Sequence, residues 1–186
     1  MNVKNGKLLV LGGFAIKAFL SSINFLTNLL KISVMSGFLG SMSNLASIFA
    51  NIAITAGFVV MFLADKNVLD LIIAGGFASG LLSIIANIRS NQVIEVAAKA
   101  SLTRYVYALI GLMSIAACFV WAFKLFKDAK YIPAITTVCS VVALIFGSLI
   151  HSLVGSWTTF MLYSFASVIY AAGLAFVAFL EFADNK

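Results

Sequence analysis

Apolar residues fall along the chain in six runs of about twenty, Leu8 to Leu30, Ser43 to Ala64, Val68 to Ile88, Tyr105 to Phe123, Ile132 to Leu153 and Thr158 to Leu180. Each is long enough for a helix to cross a hydrocarbon core about 30 Å thick. Short polar segments separate them: Asp65-Lys66-Asn67, Arg89 to Arg104, Lys124 to Lys130 and Gly155-Ser156. The pattern predicts an all-α polytopic integral membrane helix bundle of about six spans, with residues 1–186 as one transmembrane domain. The one proline, Pro133, opens the fifth run, where a missing N–H costs little, so straight helices are expected.

Polar residues inside these runs recur at helical spacing. Lys17, Ser21, Asn24, Asn28 and Lys31 step by four, three, four and three, and so share one face. Gly40, Asn44, Ser47, Asn51 and Thr55 repeat the pattern in the second run, and Gly76, Gly80, Ser83 and Asn87 in the third, where Gly76 and Gly80 make a GxxxG pair. Such rows serve as close-packed seams between helices, as the lining of a polar path, or as a docking face for another membrane subunit. Lys17 favours the path: an ammonium near mid-membrane costs roughly 2.5–3.5 kcal/mol on insertion scales and turns away from lipid.

Composition secures the membrane class, with 63% hydrophobic and 10% charged residues and a mean hydropathy of +1.13. Lys4 and Lys7 ahead of an apolar run resemble the start of a cleavable leader, but Lys17 interrupts the run and no small-x-small site follows, so the first helix is expected to stay. With six spans, Lys4, Lys7, Lys66, Lys124, Lys127, Lys130 and Lys186 share one side against Lys31, Arg89, Lys99 and Arg104. That bias places both termini in the cytoplasm of a cell expected to hold the protein in its plasma membrane. A first helix lying flat in the interface, leaving five spans, satisfies the bias nearly as well. The +6 net charge beside span ends suits anionic lipid headgroups and needs no nucleic acid.

Candidate chemistry is sparse. Asp65, Asp70, Glu95, Asp128, Glu181 and Asp184 all lie at or near span boundaries, which argues against an ion relay built on mid-membrane carboxylates. His151 alone makes no multi-histidine site and reads as a bundle histidine. Cys118 and Cys139 fall at similar depth and could be neighbours, but without a C-x-x-C motif they read as buried, inert thiols. Tyr105, Trp121, Tyr131 and Trp157 mark span ends, Tyr163, Ser167 and Tyr170 sit deeper, and Arg89 to Arg104 reads as a surface helix with a Glu95–Lys99 pair. No hydrolase, metalloprotease or phosphate-loop motif is present, so no enzyme activity, metal or cofactor is expected.

The expected function is binding or conduction of a small neutral or anionic solute by Lys17, Ser21, Asn24, Asn28, Asn44, Ser47 and Asn51. The alternative is a non-catalytic accessory or structural subunit of a larger membrane complex, with a membrane-protein partner or further copies of the chain on the same rows.

Overall fold

The computed structural model describes residues 2–30, 38–90 and 99–184, with side chains described outside 38–41, 82–90, 99–108 and 110. The described residues form six helices and no strand: α1 (Val3–Leu29), α2 (Phe38–Asp65), α3 (Val68–Ser90), α4 (Lys99–Lys127), α5 (Tyr131–Val154) and α6 (Trp157–Ala183). Each expected run lies within one helix, save the last residue of the first run. The Arg89–Arg104 connection is shorter than expected, because α3 runs to Ser90 and α4 begins at Lys99. The Glu95–Lys99 pair, Lys31, and the side chains of Ser83, Asn87, Arg89, Arg104 and Tyr105 lie outside the described residues, as does the environment of Gly40.

Four helices, α1, α2 from Met42 onward, α5 and α6, are long and apolar enough to cross a bilayer, which makes the chain a membrane protein. The described apolar part of α3, Val68–Leu81, is shorter. Large apolar side chains cover the outside of the bundle, among them Phe19, Phe49, Ile72, Phe146 and Phe176. Water would not tolerate so much exposed hydrocarbon on one small molecule.

The helices form a closed ring in chain order. Each packs on its chain neighbours, and α1 completes the ring against α6. Neighbours run antiparallel throughout: Gly6 meets Gly57 while Gly13 meets Ala50 and Ile54, Gly76 meets Met113 and Ala117, and Lys4 meets Phe182 while Phe25 meets Phe165. The start of α1 and the end of α6 therefore lie at the same end of the ring, the termini end. The α1 helix stands in the ring beside α2 and α6, with Phe14 fully buried at its centre, so it does not lie flat across the bundle.

Tight turns make this up-and-down course local. The links after α2, α4 and α5 each pass through a residue in the left-handed region, Lys66 (φ 56°), Ala129 (φ 58°) and Gly155 (φ 63°). Only the glycine takes that conformation without steric cost. The α6 helix then starts with a capping box, in which the Ser156 side chain accepts from the Thr159 N–H and the Thr159 hydroxyl accepts from the Ser156 N–H.

Candidate functional site

The ring is filled by aromatic side chains rather than by a seventh helix. Phe14 stacks on Trp121 at 5.5 Å and meets Phe77 edge-on at 5.5 Å, while Phe58 stacks on Phe77 at 6.0 Å and meets Trp121 edge-on at 5.5 Å. All four rings are essentially inaccessible. They come from α1, α2, α3 and α4, one per helix, and together close the ring across its middle. Trp121 is thus a core residue, correcting its expected place at a span end, whereas Tyr131 and Trp157 are exposed as expected. In sequence an indole three residues before Lys124 reads as a boundary marker; only the inward turn of α4 shows otherwise.

Lys17 lies just beyond this aromatic layer, away from the termini end. It is one residue from the midpoint of α1, with its Nζ 5.8 Å from the centre of the Phe77 ring. Cys118 is close enough to interact with it electrostatically, and the Cys118 Sγ lies 3.4 Å from the Tyr170 hydroxyl, so α1, α3, α4 and α6 meet at this level. Among the described residues no carboxylate pairs with Lys17. A cation over an aromatic face gains about 0.5–2 kcal/mol. That is less than the roughly 2.5–3.5 kcal/mol of placing an ammonium at this depth, so the position is a net expense for folding.

The other residues of the expected site divide. Ser21 and Asn28 continue the Lys17 face and are half-buried, while Asn24 is exposed. In α2, Asn51 is buried and donates from Nδ2 to the Ser47 carbonyl at 2.9 Å. Its Oδ1 lies beside Gly80 of α3, where the Ser114 hydroxyl of α4 donates to the Gly76 carbonyl at 3.1 Å. Asn51 is therefore part of a polar seam among α2, α3 and α4, with Gly76 and Gly80 allowing the approach. Ser47 is half-buried and Asn44 is exposed. The structure brings Lys17 near Cys118, which in turn meets Tyr170, and leaves Asn24 and Asn44 on the outside.

The two thiols part company. Cys118 is buried at the Lys17 level, whereas Cys139 is exposed, so the expectation that both thiols are buried is corrected for Cys139. Their similar depth was legible, but the side each thiol takes on its helix was not. His151 meets the Thr159 hydroxyl at 3.3 Å and stacks near Tyr163, tying the α5–α6 turn. Among the described residues no three His, Cys, Asp or Glu side chains gather to hold a metal.

A second polar region, unanticipated from sequence, occupies the termini end. Lys124 donates to Asp70 at 2.6 Å, Lys130 donates to Glu181 at 2.6 Å and approaches Asp184 at 3.1 Å, and Lys7 donates to the Glu181 carbonyl at 3.0 Å. The Asp70 side chain is wholly buried and its Oδ2 has no partner among the described residues. Lys7, Lys124, Lys130 and Glu181, with Asp65 and Asp128, border an open cavity of about 410 Å³. Burial alone would lower the pKa of Lys130, but hydrogen bonds and attraction from Glu181 and Asp184 outweigh it and hold the ammonium above its ordinary value. Between this vestibule and the aromatic layer, Trp121, Val10, Met61 and Ala178 enclose about 10 Å³, roughly the room of one water. The Trp121 indole N–H has no partner there among the described residues. The signal for this region was present in sequence as acids and lysines at alternate span ends, which six antiparallel helices necessarily gather on one side.

An ionic vestibule, a closed aromatic layer and the Lys17 level thus follow one another inside the ring. Comparison of the chain with protein-family models, with curated proteins and with solved structures finds no match.

Proposed function

We propose that this membrane protein binds a small neutral or anionic solute inside its ring of helices and moves it in the manner of a transporter or channel, without catalysing a reaction. The observation that carries this reading is Lys17, whose ammonium lies near mid-membrane beside the Phe77 ring with no carboxylate paired to it among the described residues. Packing gains nothing from an isolated cation there, but a solute with a carbonyl, carboxylate or phosphate oxygen gains a charge-assisted hydrogen bond. Tyr170 and Cys118 offer further polar atoms at the same level, and Ser21 and Asn28 continue the face. The aromatic layer on one side of Lys17 makes this a closed conformation, so movement of a solute requires Phe14, Phe58, Phe77 and Trp121 to part.

The accessory-subunit reading draws on Asn24 and Asn44, which are exposed on helices otherwise covered with hydrocarbon and would suit a neighbouring protein. Lys17 and Asn51, turned inward, do not serve that role.

Native mass spectrometry of the protein extracted gently from its membrane, followed by a thermal-shift screen of small carboxylates, inorganic anions and neutral polar solutes, tests both readings. A ligand at about a hundredfold its Kd should stabilise the fold by about 2.7 kcal/mol. The expected result is stabilisation by one chemical class, lost in Lys17→Met while that variant remains folded. Equal stabilisation of Lys17→Met, or recovery only with stoichiometric foreign subunits, would overturn the solute reading.

A further inference from the structure

Among the described residues, the seam between α4 and α5 is the loosest in the ring. Two small residues, Ala122 of α4 and Ala134 of α5, are buried at its floor, while Phe119, Phe123 and Phe126 of α4 and Ile135 of α5 stand exposed along its rims. Large rims over a floor of alanines leave a slot of about 330 Å³ on the outer surface, lined almost wholly by carbon. That volume falls in the range of small-ligand pockets, but the slot offers no polar group to orient a soluble ligand. It faces the hydrocarbon that surrounds a membrane protein.

Charge completes the slot at one end. Phe119, Phe123 and Lys127 follow at intervals of four residues along α4, so the rim that carries the two rings ends on Lys127 one turn later. Lys127 is exposed and makes no ion pair among the described residues, unlike Lys124 and Lys130, which are held by Asp70 and by Glu181 and Asp184. Tyr131, at the start of α5 one turn before Ile135, packs edge-on against Phe126 at 5.2 Å beside the same mouth. An apolar slot that ends on an amphipathic ring and a free ammonium at the level of the headgroups matches a lipid with a negative headgroup.

We propose that the α4–α5 slot is a specific site for an anionic phospholipid, with an acyl chain lying over Ala122 and Ala134 and the phosphate on Lys127. The bound chain fills the loosest seam of the ring and so makes the packing of α4 on α5 sensitive to lipid composition. This site is separate from the Lys17 level and stands whether or not a solute binds there.

The test is native mass spectrometry of the full chain after exchange into nanodiscs of phosphatidylglycerol mixed equally with phosphatidylcholine, matched in chain length. Wild type should retain one phosphatidylglycerol in preference by about fivefold, the worth of one lysine at a charged surface. Lys127→Ala should lose the preference while still retaining lipid. Cys139→Trp, which adds bulk at an exposed wall position, should lose retention of both lipids. Maleimide labelling of Cys139 should be slower in phosphatidylglycerol than in phosphatidylcholine, a difference that Lys127→Ala removes; Cys118 is buried and outside any disulfide, so Cys118→Ser provides a background with one target thiol. Equal retention of the two lipids by wild type, an unchanged preference in Lys127→Ala, or protection of Cys139 by a co-purified protein subunit would each overturn the proposal.

Discussion

Among the described residues, the two ends of the ring use their polar side chains in different ways. At the termini end, lysines and acids bond between helices: Lys124 of α4 to Asp70 of α3, Lys130 ahead of α5 to Glu181 of α6, and Lys7 of α1 to the Glu181 carbonyl. Away from it, the hydroxyls of Ser22, Thr27, Ser152 and Ser167 bond to carbonyls one turn earlier in their own helices. Such bonds satisfy the side chain without joining one helix to the next. Among the described residues the termini end is cross-tied by ion pairs beside the aromatic layer, whereas at the other end helices are tied by His151 to Thr159 across the α5–α6 turn. Lys17 stands at the junction, next to the sealed half and facing the other.

The largest effects should come from cutting a tie at the termini end. Asp70→Asn leaves Lys124 without its partner in a largely buried position and is expected to cost about 3–5 kcal/mol, read as thermal unfolding in nanodiscs. Replacing both residues with apolar ones, Asp70→Leu with Lys124→Met, should recover most of that loss, because the pair's desolvation is removed along with its attraction. Ser22→Ala and Ser167→Ala, at the other end, should change stability by less than about 0.5 kcal/mol. If the serine variants matched Asp70→Asn, the contrast between the two ends would collapse.

Glycines sharpen the contrast at the next scale. Gly57 and Gly6 face each other so closely that a Cβ on Gly57 would lie 2.6 Å from the Gly6 carbonyl oxygen, and one on Gly13 would lie 2.6 Å from the Ala50 carbonyl oxygen. Backbone cannot give way as a flexible side chain does, so Gly57→Ala and Gly13→Ala are expected to destabilise by about 1–3 kcal/mol. Gly12 and Gly75, their helical neighbours in kind, have nothing within 4 Å. Gly12→Ala and Gly75→Ala should be neutral or stabilise by up to about 1 kcal/mol through helix propensity. Parallel melting of the four variants separates seam from surface.

At Lys17 the sign should reverse. Lys17→Met removes a mid-membrane ammonium at the loss of one cation–π contact, so the variant is expected to melt higher than wild type by about 1–2 kcal/mol. A variant that gains stability while losing solute binding would mark Lys17 as a residue kept for function at the expense of the fold. A drop in stability would instead make the Phe77 contact part of the scaffold.

Helix number and membrane class were legible because they depend only on the length of apolar runs, a one-dimensional property, whereas helix ends run past those runs, as at Lys99 of α4. The depth of Lys17 was legible for the same reason. What the sequence did not reveal depends on which way each helix turns once the ring closes. Trp121 and Cys118 turn inward and Cys139 outward, although all three lie in equally apolar stretches. Asn51 shares a face with Asn44 by spacing, yet Asn51 is buried beside Gly80 and Asn44 is exposed. The ionic vestibule is the clearest omission. Its acids were read singly as boundary residues, and only the antiparallel order of six helices brings Lys7, Asp70, Lys124, Lys130 and Glu181 to one end.

The smallest expected effect tests whether the ties hold across the working range of pH. Lys130 lies in the α4–α5 link, ahead of the membrane helix, and its neighbours Glu181 and Asp184 raise its pKa above the ordinary value of 10.5. A lysine whose pKa is raised on folding stabilises the fold fully below its unfolded value and loses that contribution as pH climbs through the folded value. Stability contributed by Lys130 should therefore be flat from neutral pH to about 10 and decline only above the ordinary value of 10.5. In Lys130→Met that part of the alkaline decline should disappear, with a loss at neutral pH of no more than about 1 kcal/mol for a partly exposed pair. A wild-type decline already under way near pH 8, unchanged in the variant, would assign the sensitivity to another group. The termini end would then owe its cohesion to Asp70–Lys124 and the aromatic layer rather than to Lys130.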